Sequence, residues 1–285
     1  MPVRMLSVGH PRGGANACLT KSFCQRTRWQ KHQSSHDKIV KKVQMSQQSR
    51  LSSISYNTGH TWPWSFWGQW IVANALAETV GLGASALLWI AFLFGVEQRY
   101  GVLVSAVVVV LGSTLLEGAA VGFAQWWVLR KALPQMRWQA WFVATAIGAF
   151  MAWTLGMIPS TALSLSAETS AGPPPEVNNW LVYSLAALMG IVLGPVLGAP
   201  QWWVLRRFVR DAWWWVPAQS AAWAAGMVAI FVGVSMIPAE GGVTAVIVLI
   251  VLGSLAVAGA LVGAIHGVVL VWLLRRTYRS ANKAG

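Results

Sequence analysis

The sequence predicts an all-α integral membrane protein: a six-helix bundle built from three repeated two-helix hairpins, preceded by a disordered basic N-terminal tail. Three observations carry this expectation. The 285 residues are 56% apolar and 10% charged, with 19 Trp, whereas soluble domains carry roughly 25% charged residues. Such a chain has too few charges to cover a water-facing surface. Nearly uncharged runs recur from Trp67 onward, at about 68–95, 102–129, 138–158, 180–205, 213–237 and 244–274, each long enough to cross a bilayer. Finally, Gln-Trp-Trp-Val-Leu-Arg is spelled twice, at Gln125–Arg130 and Gln201–Arg206, 76 residues apart.

The tail, residues 1–66, lacks both a helical period and the apolar core of a secretory signal. Its Cys18, Cys24, His32 and His36 form C-x5-C-x7-H-x3-H. A two-Cys, two-His zinc finger needs a central spacer of about 12 residues to wrap a helix onto the metal, so no metal site is expected. Three readings of the segment stay open: a disordered basic tail, residues 1–44 left untranslated with a start at Met45, or an organellar transit segment. Cys18 and Cys24 are the only cysteines, so the membrane domain 67–276 is expected to hold no disulfide or thiol chemistry.

Span one aligns Trp70, Asn74, Glu78, Gly81 and Ser85 on one stripe by the i, i+3, i+4 rule. Span two carries Gly118-x3-Gly122-x2-Gln125, with Thr114, Glu117 and Gln125 on one face. The same spacing returns in span four as Gly194-x3-Gly198-x2-Gln201 and in span six as Gly259-x3-Gly263-x2-His266. The odd-numbered spans resemble one another more weakly. WIVANA (Trp70–Ala75), WFVATA (Trp141–Ala146) and WVPAQS (Trp215–Ser220) each set an amide or hydroxyl four residues after a Trp. Spans three and five are expected to leave the membrane through matching triplets, Met157–Pro159 and Met236–Pro238, and residues 277–285 to form a cytoplasmic tail. Glycines four apart make a groove that lets a neighbouring backbone approach, and the Gln or His three residues on lies along the same stripe. Gly118, Gly122, Gly194, Gly198, Gly259 and Gly263 are therefore read as packing residues. The Trp after the amide is read as an interfacial anchor and the Arg beyond it as a phosphate contact.

The net charge of +13 is a topology signal rather than a nucleic-acid footprint. Residues 1–65 hold ten Lys/Arg and one acid, Asp37. Of the eleven other bases, ten fall at one set of ends: Arg130, Lys131, Arg137; Arg206, Arg207, Arg210; Arg275, Arg276, Arg279, Lys283. Arg99 alone is at the other, with Glu97, Glu168, Glu176 and Glu240. Cationic residues concentrate in short cytoplasmic loops, so both termini are expected inside a cell inner membrane.

A run of G-x3-G-x2-Q-W-x2-L-R helices resembles a group of uncharacterised bacterial polytopic membrane proteins, over about 180 residues from span two to the end. The resemblance implies a repeated-hairpin membrane fold and brings no activity or ligand. The third copy departs from it, with His266 for Gln and the arginine delayed to Arg275. Three hairpins also describe mitochondrial carriers, but their P-x-[DE]-x2-[KR] signature is missing, and that reading is discarded.

Glu78, Glu117 and His266 are the charged or readily ionised residues inside the spans, and such residues usually face a bundle interior or a wet cavity. At 1.5 Å per residue, Glu78 lies about 12 Å beyond Trp70, His266 about 14 Å from Arg275 and Glu117 about 20 Å from Arg130. With Asn74, Gln125 and Gln201 they make a candidate intramembrane polar cluster. It would serve small-solute or lipid handling; the alternative is a non-catalytic scaffold or assembly subunit working with other membrane subunits and the lipid bilayer. The discriminator is whether the polar stripes open on a wet cavity or zip together. An intramembrane enzyme is a remote third reading: Ser85 lies in an unbroken helix, not on the strained turn that an intramembrane Ser–His protease needs. Walker A, H-E-x2-H and loop carboxylate pairs are missing, and a lone His266 is weak ground for haem or pigment. No enzyme, cofactor, metal or nucleic-acid partner is therefore expected. The Trp excess is ascribed to interfacial belts.

Overall fold

The computed structural model describes residues 62–95, 97–167, 178–238 and 244–283; the readings made for residues 1–61 lie outside them. Among the described residues the protein is all-helical, with six helices long and apolar enough to cross a membrane. It is a multi-pass membrane protein. The helices are α1 (Trp62–Gly95), α2 (Val102–Ala132), α3 (Trp138–Ala167), α4 (Asn179–Leu205), α5 (Trp215–Ser235) and α6 (Ala245–Lys283).

Local chemistry sets several of the breaks. Gly101, at φ 83°, separates the one-turn helix Glu97–Tyr100 from α2, a conformation that costs an L side chain more than glycine. α2 stops at Leu133, whose N–H still donates to the Leu129 carbonyl (2.7 Å) before Pro134 prevents continuation. Asn178 caps α4 by accepting from the Trp180 N–H at 2.9 Å. Between α4 and α5 the chain turns at Asp211, a left-handed residue (φ 56°), and enters a 3-10 turn at Ala212–Trp214.

One sequence expectation needs correcting here. Residues 62–66, read as tail, are the first turn of α1, and Phe66 is buried and stacked 6.5 Å from Trp70. The apolar spans Trp138–Ile158 and Ala212–Ser235 end at the two Met-Ile-Pro triplets, although helix α3 itself runs on through Pro159 to Ala167 while α5 ends at Ser235. A proline removes one backbone hydrogen bond, which a membrane helix tolerates where its neighbours compensate; α4 likewise carries Pro195 and Pro200 internally. Residues 277–283, the segment read as the cytoplasmic tail, are helical and continue α6.

Each helix packs against its neighbours in sequence, and α6 returns against α1, so the six close a ring. The faces are inverted relative to a water-soluble protein. Leu76, Leu115, Leu185 and Leu249 are exposed on the outside, whereas Asn74, Glu78, Glu117, Gln125, Gln201, Gln219 and His266 are buried. The basic ends gather at one end of the bundle. There Lys131 donates to Gln69, the Tyr278 hydroxyl donates to the Ala132 carbonyl (2.5 Å), the Arg210 N–H donates to Thr277 (3.1 Å), and Arg276 pairs with Asp211 (3.0 Å).

The glycines of the even-numbered helices receive the next odd helix around the ring. A Cβ built on Gly118 would lie 3.1 Å from Ala146 Cα, and one on Gly122 3.4 Å from Phe142 Cα, both in α3. On Gly194 and Gly198 it would meet Ser220 Cα at 2.3 Å and Gln219 Cγ at 2.9 Å, in α5. On Gly259 and Gly263 it would meet the Asn74 carbonyl oxygen at 2.7 Å and Asn74 Cβ at 3.0 Å, in α1. The tightest backbone approach lies one turn earlier on α4, at Gly190, 2.2 Å from the Trp223 carbonyl oxygen.

Substitution should therefore be graded by helix. Gly190→Leu and Gly194→Leu are expected to lower stability by more than the 1–3 kcal/mol typical of overpacking, because the obstacle is backbone. Gly122→Leu should cost less, and Gly253→Leu, with nothing nearby, close to nothing. Thermal unfolding in detergent ranks the four; a Gly122 variant less stable than the Gly194 variant would contradict the packing.

Candidate functional site

The centre of the ring is built from three tryptophans. Trp70, Trp141 and Trp215 are fully buried, and Trp215 meets Trp70 and Trp141 edge to face, at 6.3 Å in each case. Each donates its indole N–H to the residue that follows the neighbouring helix's glycine pair. Trp141 donates to Gln125 Oε1 (3.2 Å), Trp215 to Gln201 Oε1 (3.1 Å), and Trp70 to His266 Nδ1 (2.9 Å). The spacing G-x3-G-x2-Q/H thus brings the next helix close enough for its Trp to reach the polar side chain.

An indole N–H donates and never accepts, which fixes the orientation of every amide beyond it. Gln125 must turn its NH2 away from Trp141, and it donates to Asn74 Oδ1 at 2.8 Å. Asn74 then donates to the Trp70 carbonyl, 2.7 Å. Gln201 turns its NH2 from Trp215 and donates to Thr145 Oγ1 (3.0 Å) and Gln125 Oε1 (3.1 Å); the Thr145 hydroxyl in turn donates to the Trp141 carbonyl, 3.0 Å. Gln219 donates to Gln201 Oε1 at 3.0 Å, leaving its own Oε1 directed elsewhere. Because Nδ1 of His266 accepts, the neutral ring carries its proton on Nε2.

Glu78, Glu117, Gln125, Gln201, Gln219, Thr145 and His266 share the lining of one cavity of about 20 Å³. Glu117 Oε2 accepts from the Trp153 indole at 2.6 Å. Glu78 sits where the backbones crowd: its Cβ would be 2.9 Å from a Cβ on Gly259, and the Cα of Glu117 would be 2.9 Å from one on Gly81. Among the described residues no direct hydrogen bond links Glu78, Glu117 and His266 to one another. The stripe expected on span one is buried throughout, at Trp70, Asn74, Glu78, Gly81 and Ser85.

Several residues were missed or misread in the sequence. Trp70, Trp141 and Trp215 are core residues, so the interfacial belts do not account for all of the Trp excess; the signal of the three was the polar residue four positions on, which recurs in all three odd-numbered spans. Two of those polar residues, Thr145 and Gln219, line the site but were not named in it. Trp153 had no signal at all. The arginine at the end of the repeated segment lies over the preceding ring: Arg130 is 3.4 Å from the centroid of Trp127 and Arg206 3.4 Å from that of Trp203, a cation–π contact. The third segment also lacks the Trp that follows the polar residue, and this has a steric cause. Where the others place Trp126 and Trp202, it has Gly267, and a Cβ there would lie 2.7 Å from Trp70 and 3.0 Å from Trp67. Trp67 occupies that space and donates to the Ala264 carbonyl at 3.0 Å.

The amides also do more than the sequence implied. Gln201 alone makes four hydrogen bonds, so it is a junction rather than one interhelical tie. No family model, curated protein or solved structure matches this chain.

Gln201→Leu should strand the Trp215 and Gln219 donors, each costing about 1–3 kcal/mol when buried without an acceptor. Adding Trp215→Phe removes one stranded donor and should recover part of the loss. Equilibrium unfolding of the two variants checks this; a double variant no more stable than Gln201→Leu would show that the indole N–H is not what the amide satisfies.

Proposed function

We propose that this chain is a non-catalytic scaffold of a bacterial inner membrane, made of three copies of one two-helix hairpin, with both termini cytoplasmic. The observation that carries this reading is the zipping of the polar stripes. They bond to one another around a cavity of about 20 Å³, room for about one water, whereas a solute pathway needs a wet cavity open to one side. Support for three copies comes from the recurrence of one relation, a glycine pair and polar residue facing the next helix's Trp, at α2/α3, α4/α5 and α6/α1. The G-x3-G-x2-Q-W-x2-L-R helices support kinship with the bacterial polytopic proteins they resemble. Ten basic residues at one end support the orientation. The exposed apolar exterior supports the lipid bilayer as its surroundings and other membrane subunits as its partners.

One observation favours small-solute or lipid handling as the second reading: two carboxyl side chains, Glu78 and Glu117, line the same cavity, and intramembrane carboxylates commonly mark ion or proton routes.

Cysteine labelling separates the two, in a background with Cys18 and Cys24 replaced by Ser. A hydrophilic maleimide should label Ser170→Cys from outside intact cells, Pro134→Cys only after permeabilisation, and Val121→Cys from neither side. Extraction in native-lipid nanodiscs should then give, by native mass spectrometry, the chain with a stoichiometric second subunit. Labelling of Val121→Cys, or a chain that carries no protein partner, would overturn the scaffold reading.

A further inference from the structure

The bonds around the ring follow a rule that fails at one place. Gln125 of α2 donates to Asn74 of α1, and Gln201 of α4 donates to Thr145 of α3. In both cases the recipient lies four residues after the Trp of the preceding helix. The third link would run from His266 of α6 to Gln219 of α5. Instead, His266 Nε2 and Gln219 Oε1 are both buried without a hydrogen-bond partner, and so is Glu78 Oε2. All three residues are at most 2% exposed and line the same cavity.

The chemistry of two of these atoms is fixed by the tryptophans, and the third, Glu78 Oε2, is a carboxyl oxygen that can accept. Trp70 makes Nδ1 of His266 an acceptor, so Nε2 carries a proton and presents an N–H donor. Trp215 makes Gln201 Oε1 an acceptor, so Gln219 spends its NH2 there and presents a carbonyl oxygen. A cation is disfavoured by the N–H, and an anion by the two oxygens. A metal or haem iron would need the lone pair that Nε2 does not offer. The species that fits accepts one hydrogen bond, donates two, and occupies a cavity of about 20 Å³. A buried water makes typically three hydrogen bonds and needs roughly 10–15 Å³ for its centre.

We infer that a single ordered water closes the ring, accepting from His266 Nε2 and donating to Gln219 Oε1 and Glu78 Oε2. It joins α6, α5 and α1 at the point where His266 replaces Gln in the repeated segment. The water is a binding partner of the fold itself, and the inference is independent of whether the protein is a scaffold or handles a solute.

Proton-detected solid-state NMR of the full chain in lipid bilayers, with histidine labelled in nitrogen-15, tests this directly. The His266 signal is identified among the five histidines by its loss in His266→Gln, or by its slow exchange with deuterium if that variant does not fold. The expected spectrum, recorded in H2O, shows the neutral Nε2–H tautomer and dipolar magnetisation transfer to its proton from a water within hydrogen-bonding distance. An Nδ1-protonated or cationic ring would overturn the inference. So would an Nε2–H bonded straight to Gln219 with no water transfer.

Discussion

Three indole N–H groups determine the interior of this protein. Each is donor-only, fully buried and surrounded by bilayer, so each must find an acceptor on another helix. Trp70, Trp141 and Trp215 find theirs on α6, α2 and α4. Because these donors cannot reverse, every amide beyond them is oriented, and the polarity of the network passes from helix to helix. That one-way chain explains why Gln201 holds four partners and why His266 is a neutral ring with its proton directed inward.

The glycines follow from the same demand. An indole on one helix reaches the amide on the next only if the backbones nearly touch, which is why small residues precede each acceptor. In a bilayer, lipid competes for apolar surface, and helix association rests on such close packing and on hydrogen bonds that average below about 1 kcal/mol each. The individual bonds are weak, but they share partners, so losing one acceptor strands several donors at once. The stability of the ring is therefore collective. Among the paired glycines the crowding is uneven, greatest between α4 and α5 and least at Gly122.

Much of this was legible in the sequence, and what was not has identifiable causes. The helices could be read because long uncharged runs admit little else. Their number, and the stripes Trp70-Asn74-Glu78 and Gly118-Gly122-Gln125, follow from spacing alone. Which helix fills which groove could not be read, since a glycine pair specifies a close neighbour but not its identity. That the Trp of the odd-numbered spans are core donors could not be read, because Trp flanking a span is commonly interfacial and only their partners distinguish Trp141 from Trp138. Trp153 was invisible because it lies three turns along α3 from Trp141, outside any repeated spacing. Gly267, where the other segments have Trp126 and Trp202, could not be explained from spacing, because its reason is Trp67 on a helix distant in sequence.

The most direct test is the exchange of indole N–H protons with deuterium, followed by NMR in nanodiscs. If Trp70, Trp141 and Trp215 carry the ring, their N–H protons should exchange only as fast as the whole protein unfolds. The exposed Trp127 and Trp203 should exchange many times faster. Equal rates for the buried and exposed groups would contradict a structure held by these three donors.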